Sequence, residues 1–192
     1  DEGWTLVWND EFDGEQLDTS KWDYQYGNGG EYGVPGWGNN EWQYYLGREE
    51  NVRVEDGKLV ITALKEDNIY TSGRIRTFTN RGDVLFATTY GRIEARIKCP
   101  VGEGIWPAFW TLGTNIKETP WPACGEIDIM EMVGGNNTTF ATCPFNDHHG
   151  DHICQATVHY AGEPAGHILP RAYELMEGDF KDDFHVFGVD WD

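Results

Sequence analysis

Gly125-Glu126-Ile127-Asp128-Ile129-Met130-Glu131 sets three carboxylates among large apolar side chains. The alternation predicts a β-strand with Ile127 and Ile129 on one face and Glu126 and Asp128 on the other. Acids seldom share a strand with so apolar an opposite face, because burying or crowding them costs free energy. Glu131 lies an odd number of residues from Glu126 and falls on the wrong face of a regular strand. One extra residue, a β-bulge near Met130, restores the phase and brings all three acids to one side. Four strand steps then place the two glutamate Cα atoms ~13 Å apart, and side chains leaning ~3–4 Å toward each other leave ~5–6 Å between carboxyl groups. The acid pair of a retaining glycosidase is ~5–5.5 Å apart. A solvated acidic edge strand is the competing reading; Ile127, Ile129 and nearby Trp121 favour a packed, central strand.

Cleaving a glycosidic bond with retention needs an ionised carboxylate to attack the anomeric carbon and a protonated carboxyl to release the leaving oxygen. Three acids on one strand face resist ionising together, so at least one titration is displaced upward. Glu126 is assigned as nucleophile and Glu131 as acid/base. Asp128, two residues from Glu126 on the same face, is expected to hydrogen-bond the nucleophile.

The 192 residues suffice for one domain, 1–192, with a core that needs neither metal nor disulfide. The net charge of −19 comes from 33 acids against 14 bases spread along the chain, which argues against nucleic acid and anionic membranes as partners. No stretch is apolar enough to span a bilayer as a helix. No signal peptide precedes Asp1; a mature chain with its leader removed would look the same, so this does not argue for the cytosol. Aromatic residues make up 14% and glycines number 24, which suits an all-β protein with an aromatic-lined surface. Flat rings offer sugar faces a large contact area at little entropic cost, although Trp also fills cores. Cys99, Cys124, Cys143 and Cys154 show no CxxC spacing, which argues against a zinc ribbon. Cys143 and Cys154 flank a polar loop that they could staple, and Cys124 fits as a small core residue.

Short alternating runs recur at Leu6–Asn9, Lys58–Leu64, Gly91–Lys98, Ala108–Leu112, Gln155–His159 and His185–Trp191. Asp56-Gly57, after Val52–Val54, is a hairpin signal. Tyr24–Trp42 reads as a loop over a binding face. Arg171–Gly178 fits a short helix or a strand. The sum is an all-β, two-sheet sandwich of the jelly-roll kind.

Four motifs carry a resemblance: Trp106-Pro107-Ala108-Phe109-Trp110, Trp121 through Glu131, Asn39-Asn40-Glu41-Trp42-Gln43-Tyr44-Tyr45, and Ala156-Thr157-Val158-His159-Tyr160. They resemble glycoside hydrolase family 16, most closely its laminarinase branch of endo-1,3-β-glucanases with a β-jelly-roll fold and a concave cleft. The likeness runs from Trp8-Asn9-Asp10-Glu11-Phe12 to Phe184-His185-Val186-Phe187. It implies the same roles for Glu126, Asp128 and Glu131, and a secreted enzyme acting on laminarin-type β-1,3-glucan without a catalytic cofactor. It also implies Trp106, Trp110 and Trp121 as walls of the subsites beside the scissile bond, and Asn40 and Arg74 as hydrogen-bonding partners of a sugar. His159 resembles the family histidine on the neighbouring strand, near the acid/base; a core histidine satisfied by backbone is the alternative. A structural calcium is implied on backbone oxygens near Glu11 and Gly57, with an Asp near the C-terminus that has no visible match here. In the family further strands follow the one ending at Trp191, so a complementary C-terminal segment is expected to complete the sheets.

Other family activities (mixed-linkage, agarase-like or transglycosylase) and a non-catalytic β-glucan-binding protein are the competing functions, and the intact acid pair argues against the last. Asp147-His148-His149-Gly150-Asp151-His152 is dense in metal ligands but fits a solvated loop or a cleft rim better. Asn136-Asn137-Thr138-Thr139 holds two overlapping glycosylation sequons.

Overall fold

The computed structural model describes residues 3–135, 150–162 and 167–192. It divides into two compact units, Asp1–Thr88 and Thr89–Asp192. Among the described residues regular structure is strand, with two short 3-10 turns and no helix long and apolar enough to cross a membrane.

The first unit holds β1 (Asp23–Tyr24), β2 (Gln43–Tyr45), β3 (Val52–Val54), β4 (Leu59–Ile61), β5 (Leu64–Glu66), β6 (Ile69–Ser72) and β7 (Ile75–Arg76). The predicted hairpin is present: Val54 pairs with Leu59, and Glu55 and Lys58 exchange backbone hydrogen bonds of 2.9 and 3.0 Å. Asp56 and Gly57 both take positive φ, at 50° and 67°, which is why the turn selects this dipeptide. Lys58–Leu64 is not one strand. Its first half pairs with β3, while Leu64 opens β5 and pairs with β6. Nor is Leu6–Asn9 a strand: Leu6 and Val7 are 76% and 77% exposed, and Trp8 alone packs, against the rings of Trp22 and Phe86 at 5.3 and 5.0 Å. The centre of this unit is partly polar. Asn51 is fully buried, and its amide nitrogen donates to the Thr62 carbonyl and the Thr71 hydroxyl while its oxygen accepts from Arg48.

The second unit holds β8 (Gly91–Ile97), β9 (Ala108–Leu112), β10 (Glu126–Glu131), β11 (Ile153–His159), β12 (His167–Glu174) and β13 (His185–Trp191). The first part of Arg171–Gly178 is therefore strand. Four strands form an antiparallel sheet in the order β12-β11-β10-β9, and β13 pairs with β8 in a second sheet. The acidic strand is thus central, not an edge. Between the two sheets lies a core of Ile129, Met130, Met132, Cys99, Cys154, Phe180 and Phe187, with Ile93, Ile97, Phe109, Ile127 and Val189 packed against it. Along β8 the wet and dry faces alternate as the sequence predicts, with Arg92, Glu94 and Arg96 exposed. Cys154 carries a free thiol and lies among apolar neighbours in this core. Cys143 itself, both sequons and Asp147 through His149 lie outside the described residues.

Candidate active site

β10 owes its place to its neighbours. The chain turns from β9 toward β10 through a close approach at Gly113, where an added Cβ would sit 1.9 Å from the Cys124 carbonyl oxygen. Only glycine fits there, and its amide donates to the Gly125 carbonyl at 2.9 Å. From that point Glu126 pairs with Leu112 and Asp128 with Trp110, but Met130 pairs with Phe109, leaving Ile129 without a partner on β9. On the other side Asp128 pairs with Thr157 and Glu131 with Gln155, so three steps on β10 match two on β11. This is the expected bulge, shared between Ile129 and Met130. Both residues are buried in the core, at 7% and 1% exposure, and that double anchoring returns Glu131 to the face of Asp128 and Glu126.

The acids are held by specific partners. His159, opposite Glu126 on β11, places Nε2 2.9 Å from Asp128 Oδ2 and 3.6 Å from Glu126 Oε1. It is therefore no core histidine satisfied by backbone, and it stands at the Glu126–Asp128 end, not beside Glu131 as expected. Register explains the shift, since Gln155 takes the position facing Glu131. The Trp106 indole N–H donates to Glu131 Oε1 at 3.0 Å. Trp121 is half exposed and its ring lies 5.4 Å from that of His159, tilted by 50°. Trp110 stands opposite Asp128, half-buried, on the acid face. Glu126, Asp128, Glu131, Trp106, Trp110, Trp121 and His159 thus gather within the second unit.

Asn40 and Arg74 belong to the first unit. Asn40 is exposed, with a φ of 57°. The Arg74 guanidinium lies over the rings of Trp37 and Tyr45, at 4.5 and 5.7 Å. Glu11 and Gly57 are also in the first unit. Lys21 donates to the Asn9 carbonyl at 2.8 Å beside Glu11, and Lys58 to the Asp56 carbonyl at 2.7 Å beside Gly57. Carbonyl oxygens are the hard donors that calcium takes, and a lysine ammonium occupies one at each of these two places. Among the described residues, the acid and histidine side chains close enough together to hold a cation are Glu126, Asp128 and His159. Within this group His159 Nε2 and Asp128 Oδ2 are in direct contact at 2.9 Å. In the polar loop, Asp151 is engaged by backbone amides and His152 faces Glu174 at 3.5 Å.

Two buried polar residues escaped the sequence reading: Gln155 and Thr157, opposite Glu131 and Asp128. Their signal was available, because Gln155, Thr157 and His159 recur at the strand period of two.

Burial pushes the Asp128 carboxyl up from an ordinary 3.8 to about 7. Near neutrality Asp128 therefore holds a proton for much of the time, and can donate a hydrogen bond rather than crowd Glu126 with a second negative charge. A stability consequence follows. Between pH 4 and 7 the unfolded chain has released this proton while the folded chain keeps it, so folding loses stability as pH rises through that window. The full loss is at most about 4 kcal/mol. Asp128→Asn cannot titrate. Its urea midpoint should gain on the wild type between pH 4 and pH 8; a pH-independent difference would refute the displaced titration.

Comparison with known proteins gives the family. Residues 39–192 match the family described as Glycosyl hydrolases family 16. This chain belongs to that family. It is 36% identical to Glucan endo-1,3-beta-glucosidase A1 of Niallia circulans over 99% of the chain, and 40% identical to a Beta-glucanase of Rhodothermus marinus over 98%. It spans 27% and 59% of those two proteins. The laminarinase catalytic domain of Thermotoga maritima MSB8 superposes with a TM-score of 0.79 at 41% identity, covering all of this chain and 71% of that one. The jelly-roll expectation holds, and the likeness falls on the laminarinase branch.

Proposed function

We propose that the protein is a retaining endo-β-1,3-glucanase acting on laminarin-type polymers outside the cell. The observation that carries this reading is the bulge at Ile129–Met130, which sets Glu126 and Glu131 on one face of a central strand. Ionised Glu126 attacks the anomeric carbon, and protonated Glu131 gives its proton to the departing glycosidic oxygen. Water then enters, Glu131 takes a proton from it, and the ester to Glu126 breaks with overall retention. Asp128, protonated near neutrality, supports Glu126 through a hydrogen bond that strengthens as charge returns to the leaving carboxylate. Trp106, Trp110 and Trp121 supply apolar surface for sugar faces; for Asn40 and Arg74 a polar contact to sugar rests on the resemblance alone. The relatives named for endo-1,3-glucan cleavage support the choice of linkage.

Incubation with laminarin, lichenan and agarose, followed by reducing ends, tests the reading. Laminarin is expected to be cut fastest. Activity on agarose alone would overturn the linkage, and silence on all three would favour a β-glucan-binding protein. One accompanying proposal rests on resemblance. A structural calcium on backbone oxygens near Glu11 and Gly57 should raise the melting temperature when calcium is titrated.

A further inference from the structure

Asp151 lies outside the acid face, yet its carboxylate does unusual duty. Oδ1 accepts the Gly102 amide at 3.0 Å and the Gly135 amide at 2.9 Å, from segments 49 and 16 residues away in sequence. Its own backbone is fixed, because its carbonyl accepts the amide of Phe180, a core residue 1% exposed. The preceding Gly150 amide donates to the Val133 carbonyl at 2.9 Å. Asp151 therefore ties two loops to the core at a single oxygen.

Those loops are the ones that hold the acid/base. Residues 132–135 continue directly from Glu131, and residues 102–107 carry Trp106. They are laced together: Gly134 donates to the Ile105 carbonyl at 2.8 Å, Met132 to Pro107 at 3.2 Å, and Gly104 to Gly134 at 3.3 Å. The approach is so close that a Cβ on Gly134 would lie 2.6 Å from the Gly102 carbonyl and 2.8 Å from Asp151 Oδ1. At the far end of the same lacing, Trp106 donates to Glu131 Oε1 at 3.0 Å.

We propose that Asp151 is a positioning residue for the acid/base: by gathering Gly102 and Gly135 it locks the Trp106 loop so that the indole N–H fixes Glu131 for proton transfer. Charged acceptors form the stronger amide bonds, which suits a carboxylate at this junction. The inference rests on the reading of Glu131 as acid/base. Loss of the clamp lets Trp106 and Glu131 drift, and proton transfer is the step most sensitive to such drift.

The test compares laminarin, whose leaving group needs a proton, with dinitrophenyl β-laminaribioside, whose leaving group does not. Asp151→Ala should lose about tenfold in kcat/KM on laminarin but less than about twofold on the aryl substrate. In a Trp106→Phe background the further loss on laminarin should shrink to below about twofold, because the two residues act through one contact. An unchanged laminarin rate, equal losses on both substrates, or a full further loss in the Phe background overturns the proposal. Should Asp151→Ala fail to fold, Asp151→Asn carries the test. It keeps an oxygen but loses the charge, and a loss of about threefold confined to laminarin is expected. An Asn variant unchanged on laminarin, or falling equally on both substrates, overturns it too. Glu131→Ala is run alongside: without a split there, both readings fall, and a split there but not at Asp151 removes only the role of Asp151.

Discussion

Glu126→Ala is expected to lower laminarin turnover by more than about 10⁴-fold, the scale on which removing a nucleophile ends covalent catalysis. The remaining machinery, including a protonatable Glu131, still binds and activates the glycosidic oxygen. Added azide can then reach the anomeric carbon through the space the carboxylate vacates. The product should be the glycosyl azide of inverted configuration, because a single displacement replaces two. Anomeric assignment by NMR, with a rate that rises with azide, checks this. Near-full activity of the Ala variant would show that Glu126 is not the nucleophile. An intermediate outcome is informative as well. A glycosyl azide of retained configuration would mean that another group forms the covalent intermediate.

Glu131→Ala should lose about 10²–10⁴-fold on laminarin, the usual contribution of a general acid. It should lose far less in kcat/KM on an aryl glycoside whose leaving group departs without a proton. Azide should again raise turnover, now by attacking the glycosyl–Glu126 ester, and the azide product should have retained configuration. The two variants thus differ in the stereochemistry of the rescued product, a sharper readout than residual rate. Equal losses on both substrates would sink the acid/base assignment. The electrostatics already separate the carboxyls. Asp128, 4% exposed, is pushed toward neutrality by burial, while Glu126 reaches both His159 and more open surroundings. A neutral Asp128 lets the attacking carboxylate carry its charge without a charged neighbour two residues away.

Much of the site was legible from the alternation of β10 alone. Glu126, Ile127, Asp128 and Ile129 announce a strand with one acidic and one apolar face, and the phase of Glu131 demands one extra residue. The structure located that residue more finely, with Ile129 unpaired on the β9 side and Met130 buried beside it. The place of His159 was not legible. Its expected neighbour was Glu131, and only the pairing of Glu126 with His159 shows that it belongs to the other end of the acid row. Leu6–Asn9 misled for a related reason: alternation promises a strand only where a neighbouring strand pairs with it, and here Trp8 packs by its ring alone.

What the sequence determined by itself is local: the strand period, the acidic face, the bulge, the Asp56-Gly57 turn and the family those motifs belong to. These depend on residues within a few positions of each other, where backbone geometry fixes which side chains share a face. What only the tertiary structure decided is which distant groups meet. Trp106 finds Glu131 across 25 residues, Asp151 joins Gly102 across 49, and burial between two sheets raises the Asp128 titration. Those contacts follow from register and packing, where one step of strand slippage would exchange every partner while leaving the sequence pattern untouched.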